Sequence, residues 1–251
     1  MLLLIDAGNT RVKWAIVPPA AHGPHPLGQW LASGMVEHAG VRGLSEAWKG
    51  HRIDHVLISN VAGAAMREML EAVLGLQPVP LEWFASAPQR AGLRNNYRNP
   101  AQLGCDRFAS AIGAHAMYPG EPLLVATCGT ATTVDAVGAD GVFLGGMILP
   151  GLGLMASSLA RNTAQLPEVA QHLDVSEPFA DHTDAAIVSG CLSAQAGAIE
   201  RALAAHARRH GAPRCILSGG AARIIAPHLA AAPTIVDNLV LIGLHHVAMS
   251  A

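Results

Sequence analysis

The side chains able to do chemistry cluster in short stretches. The first runs Asp6, Ala7, Gly8, Asn9, Thr10, Arg11, Val12, Lys13. A glycine at the tip of such a turn lets backbone N–H groups approach an anion closely. Asn9 and Thr10 add donors, Lys13 adds a cation, and Asp6 ends an apolar run where it can hold Mg²⁺ through water. An ordinary hairpin has the same composition. The GxxxxGK(S/T) pattern of a Walker A loop is absent.

A second stretch, residues 127–133 (TCGTATT), is dense in hydroxyls that can donate to phosphate oxygens, and it also suits a Thr-rich return strand. Residues 218–222 (SGGAA) either let a flat base approach the backbone or make a plain strand–helix turn. The fourth stretch, residues 96–107 (NYRNPAQLGCDR), lies in a polar segment between ordered elements, where function often resides. Two readings of Asp106 stand. It caps a helix, or it is a general base for a hydroxyl nucleophile, with Arg107 and Tyr97 positioning substrate or phosphate.

The elements around these stretches follow from the apolar pattern. Strands are expected at 2–6, 12–17, 55–63, 81–84, 122–126, 132–137, 141–149 and from 214. Helices are expected at 44–50, 65–74, 106–117, 151–164, 184–210 and 239–248. Residues 18–28 are Pro/Gly-rich and read as loop, as do residues 86–100. A weak repeat ties the halves together. Shifted by 121 positions, residues 3–10 fall on 124–131, with Gly8 on Gly129, and 12–16 fall on 133–137. Two copies of one αβ unit facing each other make a cleft where ligands sit at strand ends.

Bulk properties exclude several classes. The 251 residues are 51% hydrophobic and 14% charged, which marks a globular chain. A net charge of −2 and 4% aromatics give no footprint for nucleic acid or an anionic membrane surface. No apolar stretch reaches the length of a membrane span, and the start lacks a basic segment before its apolar run. Cys105, Cys128, Cys191 and Cys215 lie far apart, as reduced cytoplasmic thiols do. His206 and His210, four apart among Arg201, Arg208 and Arg209, read as a solvated cationic face rather than a metal site.

The ordered series DAGNTRVKW, NYRNPAQLGCDR, CGTATTVDAV, GGMILPGLGLM and LSGGAA resembles the type III pantothenate kinases over nearly the whole chain. The resemblance is to the β-proteobacterial branch, which includes proteins described as virulence accessory factors. It implies an α/β acetate/sugar kinase–actin-like fold of two ribonuclease H-like halves, here 1–117 and 118–251. The first would carry the ATP phosphate loop and catalytic Asp, the second would complete the nucleotide cleft and dimer surface. It also implies a cytoplasmic homodimer that uses ATP with Mg²⁺ to phosphorylate pantothenate to 4′-phosphopantothenate, the first step of coenzyme A biosynthesis. Asp6 to Lys13 and Thr130 would then contact ATP. Asp106 would accept the proton. Tyr97, Gly104, Cys105, Asp106, Arg107 and Thr183 would line the pantothenate pocket.

Two positions depart from the family pattern. Cys105 replaces the usual Ala, a mild change. Thr127 stands where many members carry an Asp that binds a monovalent cation. A neutral hydroxyl is a poorer ligand for K⁺ or NH₄⁺ than a carboxylate, so weak cation dependence is expected. The competing readings are a kinase for another small hydroxyl substrate, a non-catalytic regulator or nucleotide-binding protein on the same fold, and an actin-like filament protein, for which the chain is short.

Overall fold

The computed structural model describes residues 1–18, 26–75, 79–163, 166–167 and 177–250. In chain order the elements are β1 (Leu2–Ala7), β2 (Arg11–Val17), β3 (Ala32–Glu37), α1 (Leu44–Ala47), β4 (His55–Asn60), α2 (Ala64–Leu74), β5 (Leu81–Trp83), β6 (Gln89–Arg90), β7 (Leu93–Asn95) and α3 (Cys105–Met117). They continue with β8 (Leu123–Cys128), β9 (Ala131–Val137), β10 (Val142–Pro150), α4 (Leu152–Asn162), α5 (Thr183–His210), β11 (Arg214–Ser218), α6 (Ala222–Ile225), β12 (Thr234–Ile235) and α7 (Leu239–Met249). Most of the expected loop at 18–28, the last residue of the expected helix 151–164 and most of the polar stretch after it lie outside the described residues.

The chain divides into two compact units. One holds Met1–Pro119, Gly141–Phe143 and Asn238–Ala251, the other Gly120–Asp140 and Leu144–Asp237. In the first unit the sheet order is β3-β2-β1-β4-β5, with β1–β2 and β2–β3 antiparallel and β1–β4 and β4–β5 parallel. The alternation of each strand sorts its side chains onto two faces. Leu3, Ile5, Val12, Trp14, Val56 and Ile58 enter one core with Met66 and Leu70 of α2. The opposite face is buried too, at Leu4, Ala15 and Leu57, and α7 packs against β1 and β4.

In the second unit the order is β10-β9-β8-β11-β12, the same order as β3-β2-β1-β4-β5, with β8–β9 antiparallel and β8–β11 and β11–β12 parallel. Its core gathers Leu124, Ala126 and Val134 with Leu152 and Ala156 of α4, Val188, Leu192 and Ile199 of α5, and Leu217. The repeat seen in the sequence is therefore a repeat of topology.

Several expectations need correction. Residues 118–251 are not all of one half. α7 lies along α3 in the first unit, because glycines on both helices let the backbones meet. A β-carbon at Gly113 would lie 2.8 Å from the Gly243 nitrogen. The stretch 86–100 is not wholly loop. Residues 89–90 and 93–95 pair as a hairpin whose turn residues, Ala91 and Gly92, both have positive φ (47° and 81°). His206 is no solvated side chain. It is buried, and its Nε2–H donates to the Val137 carbonyl at 3.1 Å. Among the described residues no helix is long and apolar enough to cross a membrane.

Candidate active site

In the first unit, the parallel strands β1 and β4 deliver Asp6 and Ser59 in register, then Ala7 and Asn60. Across the antiparallel pair Asp6 stands opposite Lys13, and Ala7 opposite Val12. Residues 8–11 therefore turn the chain, closed by Gly8 N–H donating to the Arg11 carbonyl at 3.0 Å. Asn9 and Thr10 are exposed at the tip. His38 fixes the hairpin from outside, its Nε2–H donating to the Gly8 carbonyl at 2.8 Å.

The first turn of α3 enters the same neighbourhood. Its N-cap is Gly104, with no side-chain capping bond, so Asp106 is not the cap. Asp106 sits inside the first turn, where Oδ1 accepts from the Arg107 amide at 2.8 Å. Gly104 is dictated by space: a β-carbon there would lie 2.7 Å from Asp106 Oδ1. The Cys105 thiol touches Ser59 Oγ at 3.4 Å and donates to the Asn60 carbonyl at 3.6 Å, tying the start of α3 to the end of β4.

Electrostatics link the two acids. Burial, then the nearby Asp106 carboxylate, pushes the Asp6 carboxyl up to about 7, against the pull of Lys13. Burial also raises Asp106, while the Arg107 amide and guanidinium hold it down. A buried carboxyl whose affinity for protons is raised by a neighbouring carboxylate fits a divalent cation, which would relieve the same repulsion. Behind them Arg107 is buried and its Nη1 donates to the Tyr97 hydroxyl at 3.1 Å. Tyr97 is held by its own N–H donating to Asn95 Oδ1 at 3.1 Å.

The second unit carries the other expected residues. Cys128 pairs with Thr132 and Thr127 with Thr133, so this turn holds only 129–131. It is one residue shorter than the first. Structurally Val12 and Lys13 thus match Thr132 and Thr133, an offset of 120 along the return strand rather than 121. A slip of one residue along a strand exchanges its faces. The burial patterns of Arg11–Val17 and Ala131–Val137 agree with the corrected offset at their first five positions. Where the first hairpin opposes Asp6 to Lys13, the second opposes two neutral threonines. The Oγ1 atoms of Thr132 and Thr133 are buried without a hydrogen-bond partner.

Thr130 lies at the tip, its carbonyl accepting from Gly151 N–H at 2.9 Å. The SGGAA turn packs on this hairpin. Gly219 leaves its β-carbon space to the Cys128 backbone, while nothing stands near Gly220, so only Gly220 is open to a ligand. Thr183 is exposed at the first position of α5 and edges a groove of about 560 Å³ lined by Met155, Leu159, Ile187 and Cys191. Among the described residues no group of three or more His, Cys, Asp or Glu side chains could hold a metal.

The structure thus brings Asp6, Gly8, Lys13, Tyr97 and Gly104–Arg107 into one unit and places Thr127, Thr130 and Thr183 in the other. Ser59, Asn60, His38 and Asn95 went unnoticed in the sequence. None belongs to a dense polar motif, and only strand register reveals Ser59 beside Asp6.

The family model described as type III pantothenate kinase matches residues 2–205. Proteins of that name from Herminiimonas arsenicoxydans and Janthinobacterium sp. (strain Marseille) are each 63% identical, over 99% of this chain and 98% of their own. A Campylobacter jejuni structure described as a conserved Baf-family protein superposes with a TM-score of 0.65 at 17% identity, covering 99% of this chain and 98% of its own. A glucokinase from an Antarctic psychrotroph gives 0.50 at 12% identity, covering 100% and 99%. With duplicated halves on an acetate/sugar kinase–actin-like fold, the chain belongs to the type III pantothenate kinase family, in its β-proteobacterial branch.

Proposed function

We infer that this chain transfers the γ-phosphoryl group of ATP to the primary hydroxyl of pantothenate, giving 4′-phosphopantothenate for coenzyme A synthesis. The observation that carries the reading is the joining of the Asp6 hairpin and the Asp106 turn in one unit. Phosphoryl transfer asks little covalent chemistry of a protein and much positioning and charge neutralisation. Asp106 accepts the hydroxyl proton as the pantothenate oxygen bonds to γ-phosphorus and the bond to the ADP oxygen breaks. Burial makes its carboxylate a better proton acceptor than a free one.

Asp6 to Lys13, with Thr130, are assigned to ATP. Tyr97, Gly104, Cys105, Arg107 and Thr183 are assigned to pantothenate. A divalent cation, taken as Mg²⁺ with ATP, neutralises phosphate charge when bound, and Asp6 is the residue that would hold it. Thr127 supplies no carboxylate, so turnover is expected to depend only weakly on K⁺ or NH₄⁺. The same reading has the chain working in the cytoplasm, alongside its co-substrate ATP. A homodimer is part of the same reading, supported by exposed Ile148, Leu154 and Leu159 in the second unit, which a second copy would cover.

Growth of a strain lacking pantothenate kinase, restored by this chain and not by its Asp106→Asn variant, tests the reading. Rescue by neither, with both proteins present and folded, would favour a non-catalytic role.

A further inference from the structure

Phe143 is fully buried at the start of β10. It belongs to a three-residue excursion, Gly141–Phe143, whose flanking chain lies in the second unit and which itself packs in the first. The excursion is pinned along β7. Arg94 N–H donates to the Gly141 carbonyl at 2.8 Å, Asn96 N–H donates to the Phe143 carbonyl at 3.2 Å, and Phe143 pairs with Asn95. Gly141, at φ +71°, is needed for the approach, because a β-carbon there would lie 2.8 Å from the Gly92 carbonyl and 2.9 Å from His115 Nε2.

This places the Phe143 ring against two residues of the candidate acceptor site. Its centroid is 5.7 Å from that of Tyr97, edge to face, and 5.9 Å from the Arg107 guanidinium carbon. Arg107 also stands 5.8 Å from the Tyr97 ring. Two aromatic faces thus hold one cation, and the Tyr97 hydroxyl accepts from it as well. The ring faces restrain the orientation of the guanidinium.

We propose that Phe143 is a positioning residue for pantothenate, holding the Arg107 guanidinium and Tyr97 in the orientation that receives the substrate. Phe143 itself touches no substrate. The proposal rests on the assignment of Tyr97 and Arg107 to pantothenate.

The test is steady-state kinetics of the full-length enzyme. Phe143→Leu keeps an apolar side chain and removes the ring. It is expected to raise the pantothenate KM about tenfold while kcat and the ATP KM change less than about twofold. A pantothenate KM within twofold of wild type, or an equal rise in the ATP KM, overturns the proposal. If Phe143→Leu does not fold, 3,4,5-trifluorophenylalanine at 143 keeps the shape and drains the ring face. It is expected to raise the pantothenate KM about threefold, and an unchanged KM overturns the proposal. Arg107→Ala separates the two claims. If it leaves the pantothenate KM unchanged, the assignment of Arg107 to substrate fails. If it raises that KM and the Phe143 variants do not, the positioning role alone fails.

Discussion

Asp106 is presented by its own helix: the following amide donates to Oδ1, and the missing side chain of Gly104 leaves the carboxylate its space. Asp106→Asn keeps this shape and removes the proton acceptor, so kcat should fall by ~10²–10⁴-fold with an unchanged circular dichroism spectrum. Turnover near wild type would take the base role from Asp106.

Asp6 carries a different prediction. Its folded pKa is raised from 3.8 to about 7, so between these values the native state binds more protons than the unfolded one, and stability falls as pH rises. Asp6→Asn removes that penalty. Without ligands, its Tm should match wild type near pH 4 and exceed it above pH 7, while Mg·ATP use weakens. Identical Tm–pH curves would contradict the assigned environment. At Thr127 the expectation concerns ions. Replacing K⁺ by Na⁺ should change the rate little, and a strong saturable K⁺ requirement would mean that other oxygens form a cation site.

These acids were legible as letters because each lies in a dense polar motif. Phe143 and Ser59 were not, since an apolar residue and a serine at strand ends acquire meaning only through register.

Among the elements, the strands with continuous apolar runs, such as β1 and β4, were legible, and so were the amphipathic helices. β3 was not expected. Its partly covered face carries Ala32, Gly34 and Val36 while Met35 is exposed, so no apolar alternation marks it. Gly34 is there because the Trp14 ring lies over it, 2.9 Å from where a β-carbon would stand. The β6–β7 hairpin was hidden because Ala91 takes a positive-φ turn position that usually signals itself by Asn, Asp or Gly. The strand repeat was read one residue out of register after Gly129 because an ungapped shift cannot show that one turn is shorter.

Helix packing supplies the prediction at this scale. A methyl at Gly243 would run into the Ala109 carbonyl of α3. Gly243→Ala should therefore lower Tm by roughly 4–10 °C through overpacking, as thermal unfolding would show. An unchanged Tm would mean that the α3–α7 contact is looser than described.

Over the whole molecule, the duplication was legible and the partition of the chain was not. A linear boundary near 118 fits the first repeat, yet α7 and Gly141–Phe143 return to the first unit. Their apolar and glycine residues say that they are buried without saying against what. His206 shows the same limit, since flanking arginines made a buried histidine look solvated.

The central claim concerns the whole enzyme: that it phosphorylates pantothenate at the expense of ATP. Its most direct test is a mass-resolved assay with Mg·ATP and a panel of small hydroxyl substrates. The predicted result is 4′-phosphopantothenate formed in step with ADP, with the other acceptors unmodified. ADP without phosphopantothenate, or preferential phosphorylation of a different hydroxyl compound, would contradict it.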